Sequence, residues 1–230
     1  RWLWVGLAGC LGVGGWALWV GAYLTPEQAY YALAELNAYY RILRDWGYGF
    51  PFESARPFGA LLMVLGAALV VGWGLATACW TLGRRRASFA ALLALGVFIE
   101  VLILQLLYVV EPHHSAKAVS LALMARAQPD DLLVVEGPLE LSAGLLFYTG
   151  RRIVVVNGTR GDQDFASRQP DAQGYFLDTP RFVDVWKLRP RVFLVTQQPP
   201  ERSLTKALPP DSLHLLGKFG SRWLYSNRDG

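Results

Sequence analysis

Cysteine and histidine are both scarce in this sequence. Among 230 residues there are 2 cysteines, Cys10 and Cys79, and both lie inside long apolar runs. No cysteine follows Ser115, which excludes a disulfide framework in the second half of the chain. Of the 3 histidines, His113 and His114 are adjacent. This spacing argues against a zinc site, and so few histidines argue against a Ser-His-Asp triad.

Charge is almost absent from three long runs in the first half. Apart from Glu100, no Asp, Glu, Lys or Arg interrupts Trp2–Leu24, Phe58–Leu82 or Ala87–Val110. A membrane-spanning helix needs about 20 apolar residues, so each run predicts one span. The first run is too long for a cleaved signal peptide. We therefore expect a transmembrane region over 1–114, with spans at about 2–24, 58–82 and 87–110.

A phosphate-binding glycine loop is also missing. The string that resembles one, Gly12–Ala17, lies inside the first apolar run, and Glu136-Gly137-Pro138 after the first predicted strand has the composition of a turn. A nucleotide site is therefore not expected. Glycines in the spans instead predict close helix packing, as do the pairs Gly72/Ala76 and Gly74/Ala78.

The net charge of +4 includes one compact cluster, Arg84–Arg86, in a short loop between two spans. Short loops rich in arginine stay in the cytoplasm, so this loop orients the chain and accounts for the cluster without a nucleic-acid partner. By alternation, segment 25–56 and residues 115–230 are extracytoplasmic. We expect a multi-pass protein of the plasma membrane, the inner membrane in a bacterium.

The outer segment 25–56 begins with a helix signal. Thr25, Pro26 and Gln28 have the pattern of a capping box, and the apolar periodicity extends this helix to Leu43. Aromatic residues, among them Trp46, and three arginines lie near the end of this helix and beyond it, as is typical of the headgroup zone. Two interpretations stay open for the arginines: they contact the phosphate of a lipid carrier, or they contact bulk membrane headgroups. The residues are Arg41, Arg44 and Arg56.

The second half, 115–230, has the pattern of a small α/β domain. Short apolar runs alternate with helical patterns, which predicts βαβ units and a mostly parallel sheet, and a Gly220-Ser221 turn predicts a terminal hairpin. The polar stretch between Asn157 and Thr179 predicts a long surface loop. The predicted strands are 132–135, 153–156, 192–196, 213–218 and 223–226.

Two further positions are candidates for function. Open α/β sheets bind ligands beyond the carboxyl ends of their strands, which here predicts a ligand site at Glu136 and Asn157, with Asp162 and Asp164 nearby. Glu100 lies midway along the third span, where an ionisable group marks either a polar pathway or a residue hydrogen-bonded to a neighbouring helix.

Six strings from residue 112 onwards carry a family resemblance. They are residues 112–122 (PHHSAKAVSLA), 130–135 (DDLLVV), 145–156 (LLFYTGRRIVVV), 182–186 (FVDVW), 191–195 (RVFLV) and 223–227 (WLYSN). In this order they resemble the carboxyl-terminal end of the polyprenyl-phosphate-dependent membrane glycosyltransferases of the protein-O-mannosyltransferase and aminoarabinose-transferase type (GT-C). The resemblance covers most of the chain but only the last part of such an enzyme.

The resemblance implies a function for the whole enzyme. Such enzymes transfer a sugar from a polyprenyl-phosphate donor to a protein or a glycolipid, and a divalent metal can take part in the full enzyme. Their catalytic carboxylate lies in a first outer loop, which no position here matches, so no catalytic residue is expected. Because no Met precedes Arg1, we expect these helices to pack against a transmembrane core outside this chain.

A second hypothesis belongs to a different class of protein. The same architecture suits a membrane-anchored module that binds or assembles cell-envelope partners without catalysis. Many more spans upstream would favour the enzyme, whereas an initiator Met directly before Arg1 would favour the module. Membrane lipids are partners in both.

Overall fold

The computed structural model describes residues 2–45, 47–158, 163–172 and 174–229. The chain divides into two compact units, Arg1–Val110 and Glu111–Gly230. The last turn of the third long helix therefore belongs with the second unit.

The first unit is helical. Its helices are α1 (Trp2–Tyr23), α2 (Pro26–Leu36), α3 (Ala38–Asp45), α4 (Arg56–Thr81) and α5 (Arg85–His114), the last of which extends into the second unit. Three segments are long and apolar enough to cross a bilayer: Trp4–Tyr23, Arg56–Thr81 and Arg85–His114. The three predicted spans are confirmed, and the protein is a membrane protein.

Two glycine pairs bring the backbones of α1 and α4 together. A Cβ atom built on Gly66 would lie 2.5 Å from the carbonyl oxygen of Gly14, and one built on Gly59 would lie 2.5 Å from that of Gly21. Only glycine permits such an approach between membrane helices. The predicted packing role is confirmed for Gly14 and for Gly72, where a Cβ would lie 2.9 Å from the Leu95 side chain. A Cβ on Gly12, Gly15 or Gly74 would meet no described atom within 4 Å, so for these three the role stays a prediction.

Helix α2 begins as its sequence predicts. The Thr25 hydroxyl accepts from the Gln28 amide and the Gln28 side chain accepts from the Thr25 amide, which completes the capping box. The single helix predicted through Leu43 is wrong. Asn37 adopts an extended conformation and ends α2, and its side chain then accepts from the Tyr39 amide at the start of α3.

The second unit is an α/β domain whose six-stranded sheet has the order β3-β2-β1-β4-β6-β5. The first four strands are parallel, and β6 pairs antiparallel with both β4 and β5. The predicted fold class is confirmed.

The strands are β1 (Leu132–Glu136), β2 (Val154–Val156), β3 (Phe176–Leu177), β4 (Val192–Thr196), β5 (His214–Phe219) and β6 (Arg222–Ser226). The α-helices of this unit are α6 (Lys117–Met124), α7 (Gly144–Thr149), α8 (Gln163–Ser167) and α9 (Thr179–Leu188). Short 3-10 helices lie at Leu139–Ser142, Pro170–Ala172, Leu204–Ala207 and Pro210–Ser212.

The sheet separates two apolar cores. On one face, Val119 and Leu123 of α6 and Leu145 of α7 pack against the sheet. On the other, Phe182 and Trp186 of α9 do so. Helices α6 and α7 therefore lie opposite α9, as right-handed crossovers on either side of the first strand require.

One local prediction fails in the domain. The stretch from Asn157 to Thr179 is not one loop, because it contains α8, a 3-10 helix and the edge strand β3.

Candidate functional site

The arginines of the outer segment lie around the end of α2. The Nε atom of Arg41 donates to the Ala34 carbonyl at 3.2 Å, and its Nη2 donates to the Glu35 carbonyl at 3.5 Å. These bonds place a cation at the negative end of the helix dipole. Arg41 is exposed and so can contact a further anion.

Arg44 and Arg56 have different surroundings. The Arg44 guanidinium lies 5.0 Å from the centre of the Tyr31 ring and pairs with Asp45 at 3.5 Å. Arg56 is exposed at the first position of α4. The structure thus puts Arg41 and Arg44 on the same short helix and Arg56 at the start of the next span. The neighbouring Trp46, also expected in this zone, lies outside the described residues.

An aromatic cluster holds the outer segment in place. The Phe52 and Phe58 rings are 4.8 Å apart, the Phe50 and Phe52 rings are 5.3 Å apart, and Tyr40 packs on Phe52 at 5.9 Å. The Tyr30 hydroxyl donates to the Tyr48 carbonyl, and burial, with Tyr39 nearby, raises the pKa of Tyr30 to about 12. The segment is therefore folded into a packed layer.

An apolar cavity of about 190 Å³ opens between this segment and the spans. Its lining includes one face of α2, with spacing i, i+3, i+4, i+7, and the facing sides of α4 and α5. All of its lining residues are apolar: Leu24, Ala29, Ala32, Leu33, Leu36, Phe58, Leu61, Leu62, Leu65, Ile99, Leu102, Ile103 and Leu106. A hydrocarbon chain fits such a lining better than a polar ligand does.

The cavity and the Arg41 side chain meet at the end of α2. Leu36 lines the cavity, and Arg41 binds the carbonyl oxygens of the two residues just before Leu36. An apolar space beside an exposed guanidinium matches a ligand with a hydrocarbon chain and an anionic head. Nothing in the sequence pattern predicts the cavity, because its walls come from four separate segments.

Glu100 is exposed on the surface of α5. It therefore faces away from the described helices of the first unit. Both interpretations of this residue stay predictions, since each requires a neighbour beyond this chain.

The carboxyl edge of the sheet is occupied by the domain's own contacts. Glu136, at the end of β1, accepts from the Ser203 hydroxyl at 2.6 Å and from the Leu204 amide at 2.8 Å. Burial raises the pKa of Tyr225, and the carboxylates of Glu136 and Glu201 raise it further. Glu136 therefore holds the 3-10 helix Leu204–Ala207 by its amino end.

The other predicted residues of this edge are also engaged or lie outside the described part. Asn157 has a φ of 56°, and its Nδ2 atom donates to the Thr179 hydroxyl at 2.8 Å. Asp164 of α8 pairs with Arg168, which directly follows the end of that helix. Asp162 lies outside the described residues. A ligand site here stays a prediction, and the contacts of Glu136 and Asn157 give each a role in the fold.

The described residues bring no three His, Cys, Asp or Glu side chains into an arrangement that could hold a metal ion.

Replacing Glu136 with Ala is expected to loosen the Ser203–Leu204 turn without unfolding the domain. Loss of two hydrogen bonds to a carboxylate costs about 1 to 3 kcal/mol, so hydrogen exchange at the Leu204 amide should accelerate about tenfold to hundredfold. Glu201→Ala, at an exposed position two residues before Ser203, is the control. Unchanged exchange at Leu204 in the Glu136 variant would show that the carboxylate does not hold the turn.

One residue that the sequence interpretation missed holds the start of the domain. Arg222 is 0% exposed and donates to the carbonyl oxygens of His113, His114 and Ser115 at 3.0–3.1 Å and to that of Leu141 at 2.8 Å. Ser221 adds a bond to His113. We call these contacts of Ser221 and Arg222 the Arg222 clamp.

No protein-family model matches the sequence, and no curated protein does so either. Solved structures do match. The crystal structure of ArnT from Cupriavidus metallidurans in the apo state superposes with a TM-score of 0.62 and 16% identity, over 96% of this chain and 36% of that chain. The structure of the same protein bound to undecaprenyl phosphate gives a TM-score of 0.61 and 18% identity, over 97% of this chain and 37% of that one.

The chain has the fold of part of ArnT. The match covers nearly all of this chain, so it includes the membrane helices as well as the α/β domain. The resemblance to the aminoarabinose-transferase type that the sequence predicts is confirmed as a likeness of fold. The chain spans little more than a third of the ArnT chains, and identity below a fifth carries no residue roles from one protein to the other.

Proposed function

We propose that this chain is the carboxyl-terminal part of an integral-membrane glycosyltransferase. In this proposal the enzyme transfers a sugar from a polyprenyl-phosphate donor to a protein or glycolipid acceptor on the extracytoplasmic side of the membrane. The observation that carries the proposal is the fold likeness to ArnT across both units, one structure of which contains undecaprenyl phosphate.

The position of the arginine loop supports the proposed orientation. Arg84, Arg85 and Arg86 are all exposed at the turn between α4 and α5, and Arg85 lies 5.3 Å from the centre of the Trp80 ring. A short loop rich in arginine is typical of the cytoplasmic face. In this proposal the outer segment and residues 115–230 are therefore extracytoplasmic, on the side where the donor presents its phosphate.

In this proposal, the cavity and the Arg41 guanidinium bind the donor. The isoprenoid chain occupies the apolar space between α2, α4 and α5, and the phosphate meets Arg41, with Arg44 and Arg56 contributing positive potential nearby. Arginine suits this role because its planar donors match phosphate oxygens. This chain contributes donor binding and acceptor access, while the catalytic carboxylate comes from the remaining transmembrane core.

Charge reversal at Arg41 and Arg44 is expected to weaken use of the donor by the intact enzyme. A lost hydrogen bond between charged groups is worth about 1.5 to 3 kcal/mol, so the KM for the polyprenyl-phosphate sugar should rise about tenfold to hundredfold in Arg41→Glu/Arg44→Glu. The kcat at saturating donor should change far less.

The control for this experiment is Arg189→Glu, which reverses an exposed charge on the second unit. Thermal unfolding of each variant separates a loss of folding from a loss of donor binding. Unchanged donor saturation in a folded Arg41/Arg44 variant would remove the arginines from the proposed site and leave the glycosyltransferase proposal to other evidence.

A further inference from the structure

Helices α6 and α7 expose large apolar side chains next to one another. The two helices pack side by side, since a Cβ built on Gly144 would lie 3.2 Å from the Cβ of Ala116. The exposed apolar side chains are Leu121 and Met124 on α6 and Leu146, Phe147 and Tyr148 on α7. We call these five side chains, together with that of Lys117, the α6–α7 surface. Clustered apolar exposure of this kind marks a surface that contacts something other than water.

The α6–α7 surface follows directly after the third span. Helix α5 has 30 residues, which gives it a length of about 45 Å, equal to a bilayer with its headgroup zones. Ser115 and Ala116 alone separate α5 from α6. The three Cα–Cα steps from His114 to Lys117 cover about 11 Å at most, so α6 begins within that distance of the headgroup level.

The Arg222 clamp keeps α6 at that level. It binds the carbonyl oxygens of residues 113–115, and Ala116 is buried in the core below α6. Gly220 has a φ of 60°, and a Cβ there would overlap the Pro112 carbonyl oxygen, so the turn before β6 also contacts the end of α5. These contacts therefore hold the start of α6 beside the last turn of α5.

The chemistry of the α6–α7 surface suits a lipid headgroup zone. Lys117, Leu121 and Met124 lie on one face of α6 at spacing i, i+4, i+7, so the ammonium group lies in line with the apolar side chains. Lysine can extend to headgroups while its methylene stem covers apolar surface. Phe147 and Tyr148 form an aromatic pair with ring centres 5.1 Å apart, and aromatic side chains concentrate at membrane interfaces.

We propose that the α6–α7 surface rests on the outer leaflet, with Phe147 and Leu121 inserted among the lipids and Lys117 on anionic headgroups. The domain is thus held to the bilayer by a second contact besides the span that anchors it. This inference stands independently of the sugar-transfer activity, since it depends on α5 crossing the membrane and not on a donor.

The test uses spin labels in the full chain reconstituted into liposomes that contain an anionic phospholipid. Cys10 and Cys79 are replaced with Ser, and a single label is placed at Phe147→Cys or, as a control, at Leu188→Cys. Both parent residues are 82% exposed, but Leu188 is on α9, on the other side of the sheet. Electron paramagnetic resonance then measures collisions of each label with oxygen, which concentrates in lipid, and with a water-soluble nickel complex.

The ratio of oxygen to nickel collisions is expected to be several-fold higher at position 147 than at position 188. Equal ratios at the two positions would overturn the proposal, because Phe147 would then face water. Loss of both kinds of collision at position 147 would also overturn it, because that residue would then be covered by protein. Circular dichroism confirms that each labelled chain is folded.

A second variant tests the headgroup contact alone. Lys117→Glu is expected to lower the collision ratio at position 147 in anionic liposomes and to leave it unchanged in zwitterionic ones. If the collision ratio at position 147 in anionic liposomes does not change with Lys117→Glu, the role given to the ammonium group is contradicted.

Discussion

Replacing Arg222 with Met is expected to destabilise the second unit by about 3 to 5 kcal/mol, which is much of the stability of an ordinary domain. Methionine fills a similar volume but removes the guanidinium donors from the carbonyl oxygens at positions 113–115 and 141. Of these, the His113 oxygen keeps its bond from Ser221 and the Leu141 oxygen keeps its bond from Gln197. Buried carbonyl groups without donors cost far more than exposed ones. The end of α5 should then separate from the sheet.

Hydrogen exchange of the full chain in detergent measures this effect in two places. Amides of β6 and of residues 113–117 should exchange at least tenfold faster in Arg222→Met, while those of the first unit change little. The exchange rates in Arg222→Lys should lie between those of the native chain and those of Arg222→Met, since an ammonium group offers fewer and less well directed donors. Arg189→Met, at an exposed position, is the matched control. Native exchange rates in Arg222→Met would show that the clamp does not hold the domain.

Replacing Gly66 with Leu is expected to separate α1 from α4. The side chain would start 2.5 Å from the Gly14 carbonyl oxygen and 2.9 Å from Leu18, so neither helix can keep its place. Overpacking destabilises a protein by up to about 3 kcal/mol in the usual case. We expect a loss at this upper end, because the added side chain meets backbone atoms, which cannot change rotamer. The melting temperature of the detergent-solubilised chain should fall by several degrees.

The chain carries its own probes and its own control for this change. Cys10 lies on α1 and Cys79 on α4, both half-buried, so a thiol-reactive dye measures any change in the exposure of either thiol. Gly74→Leu adds the same side chain to the same helix, where a Cβ meets open space. A melting temperature as low in Gly74→Leu as in Gly66→Leu would show that the loss comes from helix propensity or detergent rather than from the contact between Gly14 and Gly66.

The membrane architecture was predictable because it depends on composition alone. The uncharged runs are long enough to span a bilayer, and the length and composition that identify a span do not depend on which helices pack against it. The pairing of Gly14 with Gly66 was predictable only in part. Small residues mark a possible crossing, but which of them face the partner depends on the rotation of each helix, and Gly74 faces away.

The parallel strands were predictable from short apolar runs, whereas β3 was not. Phe176–Leu177 forms only two ladder positions with β2, which is too short for any periodic signal. The break at Asn37 was missed for a related reason. Asparagine occurs within helices as well as at their ends, so the residue type alone did not predict a break at this position.

The Arg222 clamp had a signal that could have revealed it. Side chains alternate along a strand, so Arg222 must share a face with Leu224 and Ser226, and all three are buried. An arginine on the inward face of a strand requires carbonyl or carboxylate partners. For Glu136 the sequence interpretation predicted a ligand site and overlooked a structural contact. An acidic residue at the carboxyl edge of a sheet suggests a ligand site even where its carboxylate binds the domain's own backbone.

The proposed donor site is tested most directly by a photoreactive polyprenyl phosphate added to the reconstituted chain, with crosslinked residues mapped by mass spectrometry. The proposal predicts adducts concentrated on Leu33–Arg41 and on the cavity faces of α4 and α5, and loss of these adducts when the uncharged polyprenol is used instead. Crosslinks spread evenly over the lipid-facing surfaces of all three spans, with no preference for the phosphate, would contradict it.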